Sequence, residues 1–270
     1  MADVVELNGV RLLVEQGGAG EPTVVFVHGS WDDHRTWDRV AGAVSGTVVS
    51  YDRRGHSGSR QPLDQGNIDE DVDDLIALIE WLDQGPVAVV GHSYGATVSL
   101  LLACRRPDLV HHVVAHEPPL FNVLRDDPRY ATDLAEALAG MRHAAECIEN
   151  GRPEEGAAYF AEHIGFGPGV WDGVFSAEQR ATMVANADTW LDQSRDPRRL
   201  AVSLDDLAAT DVAVLITRGD RSPALYAPAL DRLLATAPNL SSLTIIGCGH
   251  AVAHTHPTEF AAAINDYIAG

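Results

Sequence analysis

The chain has 270 residues, enough for one large α/β domain with a sizeable core or for two small domains, and with 46% of them hydrophobic and 21% charged its composition is that of a soluble globular protein. Its formal charge is −20, and all 19 basic residues are arginine. A surface this acidic repels phosphate backbones and anionic lipid, which argues against nucleic acid and membrane surfaces as partners.

The first element is a hairpin. Residues 4–7 and 10–15 alternate apolar and polar side chains around Asn8-Gly9, a favoured two-residue turn. Short apolar, β-rich runs follow at 24–27, 48–51, 87–90, 110–115, 212–217 and 243–246. Several of them end in glycine-bearing turns, as strands buried on both faces of a parallel sheet do. Helical periodicity fills the intervals. Residues 69–82 place Val72, Leu75, Ile76, Ile79 and Leu82 on one face, 96–105 follow Gly95, and 257–268 close the chain. From 118 to 209 the alternation stops. The helical patterns there lie at 131–149, 153–163, 177–191 and 197–207, with a glycine-rich loop at 165–169. The expected fold is α/β: a mainly parallel central sheet with helices on both faces, and an all-helical lid inserted after the sixth strand. The expected division is a core of 1–117 and 210–270 and a lid of 118–209, placed over the carboxyl ends of the strands where ligands bind.

Cys104, Cys147 and Cys248 are odd in number and have no metal-site spacing, so they suit a reducing compartment. The N-terminus lacks a basic region followed by an apolar stretch. A cytoplasmic location follows as an expectation.

Gly91-His92-Ser93-Tyr94-Gly95 leaves an apolar strand and enters a helix, the context a nucleophile elbow requires. The serine stands on a strained turn, the glycines make room for it, and the next backbone N–H faces a developing oxyanion. At this point the chain resembles the α/β-hydrolase superfamily over nearly its whole length. His28-Gly29-Ser30-Trp31 looks like that family's oxyanion loop, Asp52–Ser59 like its turn after the fourth strand, and Gly247-Cys248-Gly249-His250 like its C-terminal histidine loop. The resemblance implies Ser93 as nucleophile and His250 as general base. Ser30 and Tyr94 are the expected donors of the oxyanion-hole N–H groups, with Gly29 or Trp31 as alternatives to Ser30. His28 is read as a structural residue, and the 52–59 turn is assigned no role.

The acid has two candidates. The family's usual position, three residues past Gly219, holds Ser222, and Asp220 lies two residues early. The other position follows the sixth strand, where Glu117 stands before Pro118-Pro119. That arrangement resembles the zearalenone-lactonase branch, and Glu117 is favoured. Either strand end can orient an imidazole.

A serine nucleophile forms an acyl-enzyme from an ester or lactone, so the expected substrate is a small hydrophobic ester or lactone. Trp31, Leu120, Phe121, Trp171 and Trp190 are the candidate pocket residues, with core packing as the competing explanation for each. A lyase, a perhydrolase or a receptor can use the same scaffold, because fold does not determine reaction. No cofactor is expected: there is no dinucleotide fingerprint or phosphate loop, and the histidines match no HExxH metal spacing. A homodimer stays open.

Overall fold

The computed structural model describes residues 2–199, 202–237 and 239–270. Its centre is an eight-stranded sheet in the order β1-β2-β4-β3-β5-β6-β7-β8. The strands are β1 (Ala2–Leu7), β2 (Val10–Gly18), β3 (Thr23–Val27), β4 (Thr47–Tyr51), β5 (Val87–His92), β6 (Val110–His116), β7 (Ala213–Gly219) and β8 (Ser241–Ile245). β1 and β2 pair antiparallel, as do β2 and β4, and every later pairing is parallel. Asn8 and Gly9 both have positive φ, 48° and 75°, which is the turn whose twist matches a hairpin. Every expected strand is present. β3 is buried throughout, as a central parallel strand requires.

The helices are α1 (Asp38–Ala41), α2 (Ile68–Leu82), α3 (Tyr94–Arg105), α4 (Ala131–Glu149), α5 (Pro153–Phe160), α6 (Val170–Gly173), α7 (Ala177–Ala185), α8 (Ala187–Arg195), α9 (Leu204–Ala209), α10 (Tyr226–Thr236), α11 (Val252–Thr255) and α12 (Pro257–Ala269). Two apolar cores sandwich the sheet, one including α2 and α3, the other including Trp37 and α12. A third cluster lies within the helices between β6 and β7 and reaches down to Trp31. α2 begins with a capping box: the Asn67 side chain takes the Asp69 and Glu70 N–H groups, and Glu70 reaches back to the Asn67 N–H. Its buried face includes Leu78 rather than Ile76, and adds Asp71 and Asp74. Both carboxylates find arginines: Asp71 meets Arg53 at 2.9 Å, and Asp74 takes two bonds from Arg54 at 2.7 Å each. These pairs are what allows charge on an otherwise apolar face.

Two expected helices differ. The 177–191 pattern breaks at Asn186, whose fully buried amide takes the Ser57 N–H at 2.9 Å and donates to the Asp32 carbonyl at 3.0 Å. A buried amide must be satisfied, and its partners here lie in loops outside the helix. The 197–207 pattern is helical only from Leu204, and its residues 200 and 201 lie outside the described ones. α10 was not anticipated. Pro228 in its first turn is a tolerated position, but it masks the apolar spacing of Tyr226, Leu230 and Leu233. Among the described residues, no helix is long and apolar enough to cross a membrane.

Candidate active site

β5 runs into Ser93, which sits at φ 55°, ψ −120°, and α3 starts at the next residue. A non-glycine residue there carries strain of about 1–3 kcal/mol. The turn is held by the Ser93 N–H donating to the His116 carbonyl at 2.9 Å, and by the Ser93 carbonyl accepting from Ala96 and Thr97. The flanking glycines are demanded by contact. A Cβ on Gly91 would lie 2.5 Å from the Gly95 carbonyl oxygen, and one on Gly95 would lie 2.2 Å from that of Val27. Both obstacles are backbone, so neither can swing aside. Gly95→Ala is therefore expected to lower Tm by roughly 6–10 °C, an overpacking cost of about 3 kcal/mol in a domain of this size. Calorimetry checks it, and an unchanged Tm would show that the elbow can relax.

Glu117 leaves β6 with a positive φ of 47° and is fully buried. Its Oε2 meets His250 Nδ1 at 2.7 Å. Its Oε1 accepts from the Gly219 N–H at 2.8 Å and the Ser222 hydroxyl at 2.6 Å. Thus the residue at the usual acid position, Ser222, donates to the carboxylate on the neighbouring strand. Asp220 is exposed and accepts from the Gly247 N–H at 2.7 Å, so it braces the histidine loop without touching His250. His116, Glu117 and His250 bring three potential metal-ligand atoms within 4.8 Å of one another, but the His250 Nδ1 and both Glu117 oxygens are already engaged in these bonds.

His250 is buried, its backbone carbonyl meets His92 Nε2 at 2.8 Å, and burial lowers its pKa to about 3, so the imidazole rests neutral. The Tyr226 ring stacks on it at 4.4 Å, and the Tyr226 hydroxyl lies 3.1 Å from Nε2. The same hydroxyl interacts with the Ser93 side chain, and the Gly165 carbonyl lies 3.5 Å away as its alternative acceptor. Nucleophile and base thus share a buried phenol that the sequence reading did not anticipate.

The loop at Ser30 is shaped by buried groups. His28 spans it, taking the Arg53 N–H on Nε2 at 2.9 Å and meeting the Gly29 carbonyl through Nδ1 at 2.8 Å. The Arg53 guanidinium donates to the His28 and Gly29 carbonyls and lies over the Tyr94 ring at 4.6 Å. The Tyr94 hydroxyl donates to Asp71 at 3.0 Å. The 52–59 turn therefore has a task, coupling the Ser30 loop to the elbow through Arg53. Tyr94 is the first residue of α3, so its N–H has no acceptor within the helix.

Ser93, Ser30 and Tyr94 line one cavity of about 390 Å³, walled by apolar side chains of α4 and by Tyr226. Of the expected pocket residues, Phe121 and Trp190 line it. Trp31, Leu120 and Trp171 do not. Trp31 lies behind Trp190, stacked at 4.6 Å, Leu120 is 1% exposed in the main core, and Trp171 packs in the cluster among the inserted helices. Their apolar surface is spent on packing, the competing explanation in the sequence reading.

The sequence profile of the alpha/beta hydrolase family matches residues 24–263. The chain is 31% identical over 150 residues to the uncharacterized hydrolase YraK of Bacillus subtilis, covering 54% of this chain and 55% of that one, about half its length. It is 29% identical over 273 residues to 2-(acetamidomethylene)succinate hydrolase of Mesorhizobium japonicum, covering 98% and 94%. A crystal structure of an alpha/beta hydrolase from Sphaerobacter thermophilus superposes with a TM-score of 0.74 at 24% identity, covering 98% of this chain and all of that one, which speaks for the fold. With the sheet order, the elbow and this match over most of its length, the chain belongs to the alpha/beta hydrolase family, as a hydrolase.

Proposed function

We propose that this chain is a serine hydrolase that opens a carboxylic ester or lactone through an acyl-enzyme. The observation that carries the reading is the 2.7 Å contact of His250 Nδ1 with Glu117, beside a cavity that holds Ser93 on its strained turn. Glu117 accepts a hydrogen bond from the Nδ1–H and so keeps the proton on Nδ1, which leaves the Nε2 lone pair for the Ser93 proton. For that transfer the Tyr226 hydroxyl turns from Nε2 to the Gly165 carbonyl. Ser93 Oγ then bonds the substrate carbonyl carbon, and the oxyanion is held by the N–H groups of Ser30 and Tyr94, each worth about 3 kcal/mol. His250 gives its new proton to the departing alkoxide. A water, deprotonated by the same nitrogen, frees the acid and restores Ser93. Serine supports ester and lactone chemistry over epoxide opening, where an alkyl-enzyme ester on a carboxylate is needed.

Residues 118–209 act here as a cap whose α4 face shapes the acyl pocket. The three free cysteines suit the expected cytoplasmic location. A fluorophosphonate probe followed by intact mass tests the nucleophile. Wild type is expected to gain one adduct and lose esterase activity in step, while Ser93→Ala gains none and is inactive. Undiminished ester turnover by Ser93→Ala would remove the reading.

A further inference from the structure

We propose that the substrate of this cavity carries a carboxylate, held by Arg199 with Arg125 beside it. The proposal rests on the serine-hydrolase reading and names its substrate class. The chain has 39 acidic residues against 19 arginines, so an arginine meets a carboxylate almost wherever it lies. Thirteen arginines do form ion pairs among the described residues. The other six do not, and two of these, Arg125 and Arg199, line the cavity that holds Ser93. No aspartate or glutamate lines it. In a molecule of net charge −20 this cavity is a local positive site.

Arg199 carries the argument further than Arg125, which is exposed. Arg199 is partly buried, and its one side-chain hydrogen bond among the described residues runs from Nη1 to the Asp196 carbonyl at 3.1 Å. The Asp196 carboxylate, whose charge acts on Arg199, is hydrogen-bonded by backbone instead: it accepts from the Ile68 N–H at 2.9 Å and the Arg198 N–H at 2.8 Å. A guanidinium withdrawn from water without a contacting carboxylate is unfavourable: burial lowers the Arg199 pKa, and the nearby Asp196 charge only partly offsets this. A bound carboxylate reverses this, since the guanidinium fork matches its two oxygens. Asn122 and Gln193, whose amide also donates to Ser30 Oγ at 2.7 Å, line the same cavity, and the apolar side chains of α4 hold the methylenes between charge and ester. The occupant that fits is an ester or lactone of a dicarboxylic or similar acid, with one carboxylate free.

The test compares p-nitrophenyl hydrogen adipate with p-nitrophenyl methyl adipate, equal in shape apart from one methyl group and different in charge. Wild type is expected to prefer the anionic ester by about 30-fold in kcat/KM, an energy of about 2 kcal/mol that suits a charge-assisted bond. Arg199→Gln is expected to remove most of that preference through KM, leaving the neutral ester within about three-fold. Arg199→Lys should recover part of it. A readout without turnover is adipate added to Ser93→Ala, with a Tm rise that adipamide does not give and that Arg199→Gln abolishes. Equal cleavage of both esters overturns the proposal, as does a preference that survives Arg199→Gln and Arg125→Gln together. If wild type takes no fluorophosphonate and cleaves neither ester, the hydrolase reading has failed. The adipate shift then decides the anion site alone, and no shift sinks it.

Discussion

Glu117→Gln is expected to lower kcat by about four orders of magnitude, the size seen when a buried triad acid becomes its amide, while Asp220→Asn stays within about two-fold. The argument lies in how the two Glu117 oxygens are engaged. Oε1 accepts from the Gly219 N–H and the Ser222 hydroxyl, and Oε2 faces His250 Nδ1. In the glutamine variant the carbonyl oxygen must stay with the two donors, so the NH2 group faces the imidazole. Nδ1 then has to accept, which places the ring proton on Nε2, the atom that must take the Ser93 proton. The base is present but in the wrong tautomer. Asp220→Asn keeps an acceptor for the Gly247 N–H and alters nothing at the ring. Steady-state kinetics on a p-nitrophenyl ester, with melting curves to show that both variants fold, check the pair. A crippled Asp220→Asn beside an active Glu117→Gln would move the acid to the seventh strand.

The sheet was legible because each strand is a short apolar run closed by a turn, and buried parallel strands tolerate little else. The elbow was legible because its glycines are dictated by local contact. The acid was harder. Choosing between Glu117 and Asp220 depends on how two loops from different strands meet, and no local pattern encodes that meeting. Ser222 illustrates the point, since it occupies the counted acid position and serves the acid from there. Tyr226 and Arg199 escaped notice for a related reason. Tyr226 sits in a helix without a clear periodic signal and Arg199 ahead of a helix that starts later than its pattern suggests, and each gains meaning only from a neighbour far along the chain, His250 for one and the Ser93 cavity for the other. Arg53 was visible within its motif, but its bonds to the His28 and Gly29 carbonyls require the parallel pairing of β3 and β4, which brings the two strand ends together. The pocket residues were over-assigned. Large aromatic side chains beside a cavity are more often its supporting wall than its lining, as Trp31 behind Trp190 shows.

Acid should unfold this protein at a pH most acidic proteins tolerate, with Tm falling by about 20 °C between pH 7.5 and 5.5. Six histidines are withdrawn from water and held neutral: His28, His56, His92, His116, His250 and His254, every one with its pKa lowered first of all by burial. In the unfolded chain each titrates near 6.5. The unfolded state therefore binds more protons below that pH. The stability these groups contribute is fully present above 6.5 and is lost as pH falls towards their folded values. Each costs a little over about 1 kcal/mol at pH 5.5, so the six together cost roughly 8 kcal/mol, a large part of an ordinary folding free energy. Opposing contributions exist. Burial and the neighbouring Asp33 raise Asp32 to about 7, burial raises Asp38 and Asp74, and against the lowering effect of burial the contact with Asp52 raises His34, so these groups favour the folded state on the acid side. They are too few to balance six. Calorimetric melts across the range check the fall, and His116→Gln should make the decline shallower by about one proton. A Tm that stays level from pH 7.5 to 5.5 would mean that these imidazoles take up protons in the folded protein, and then the neutral resting state of His250 goes with them.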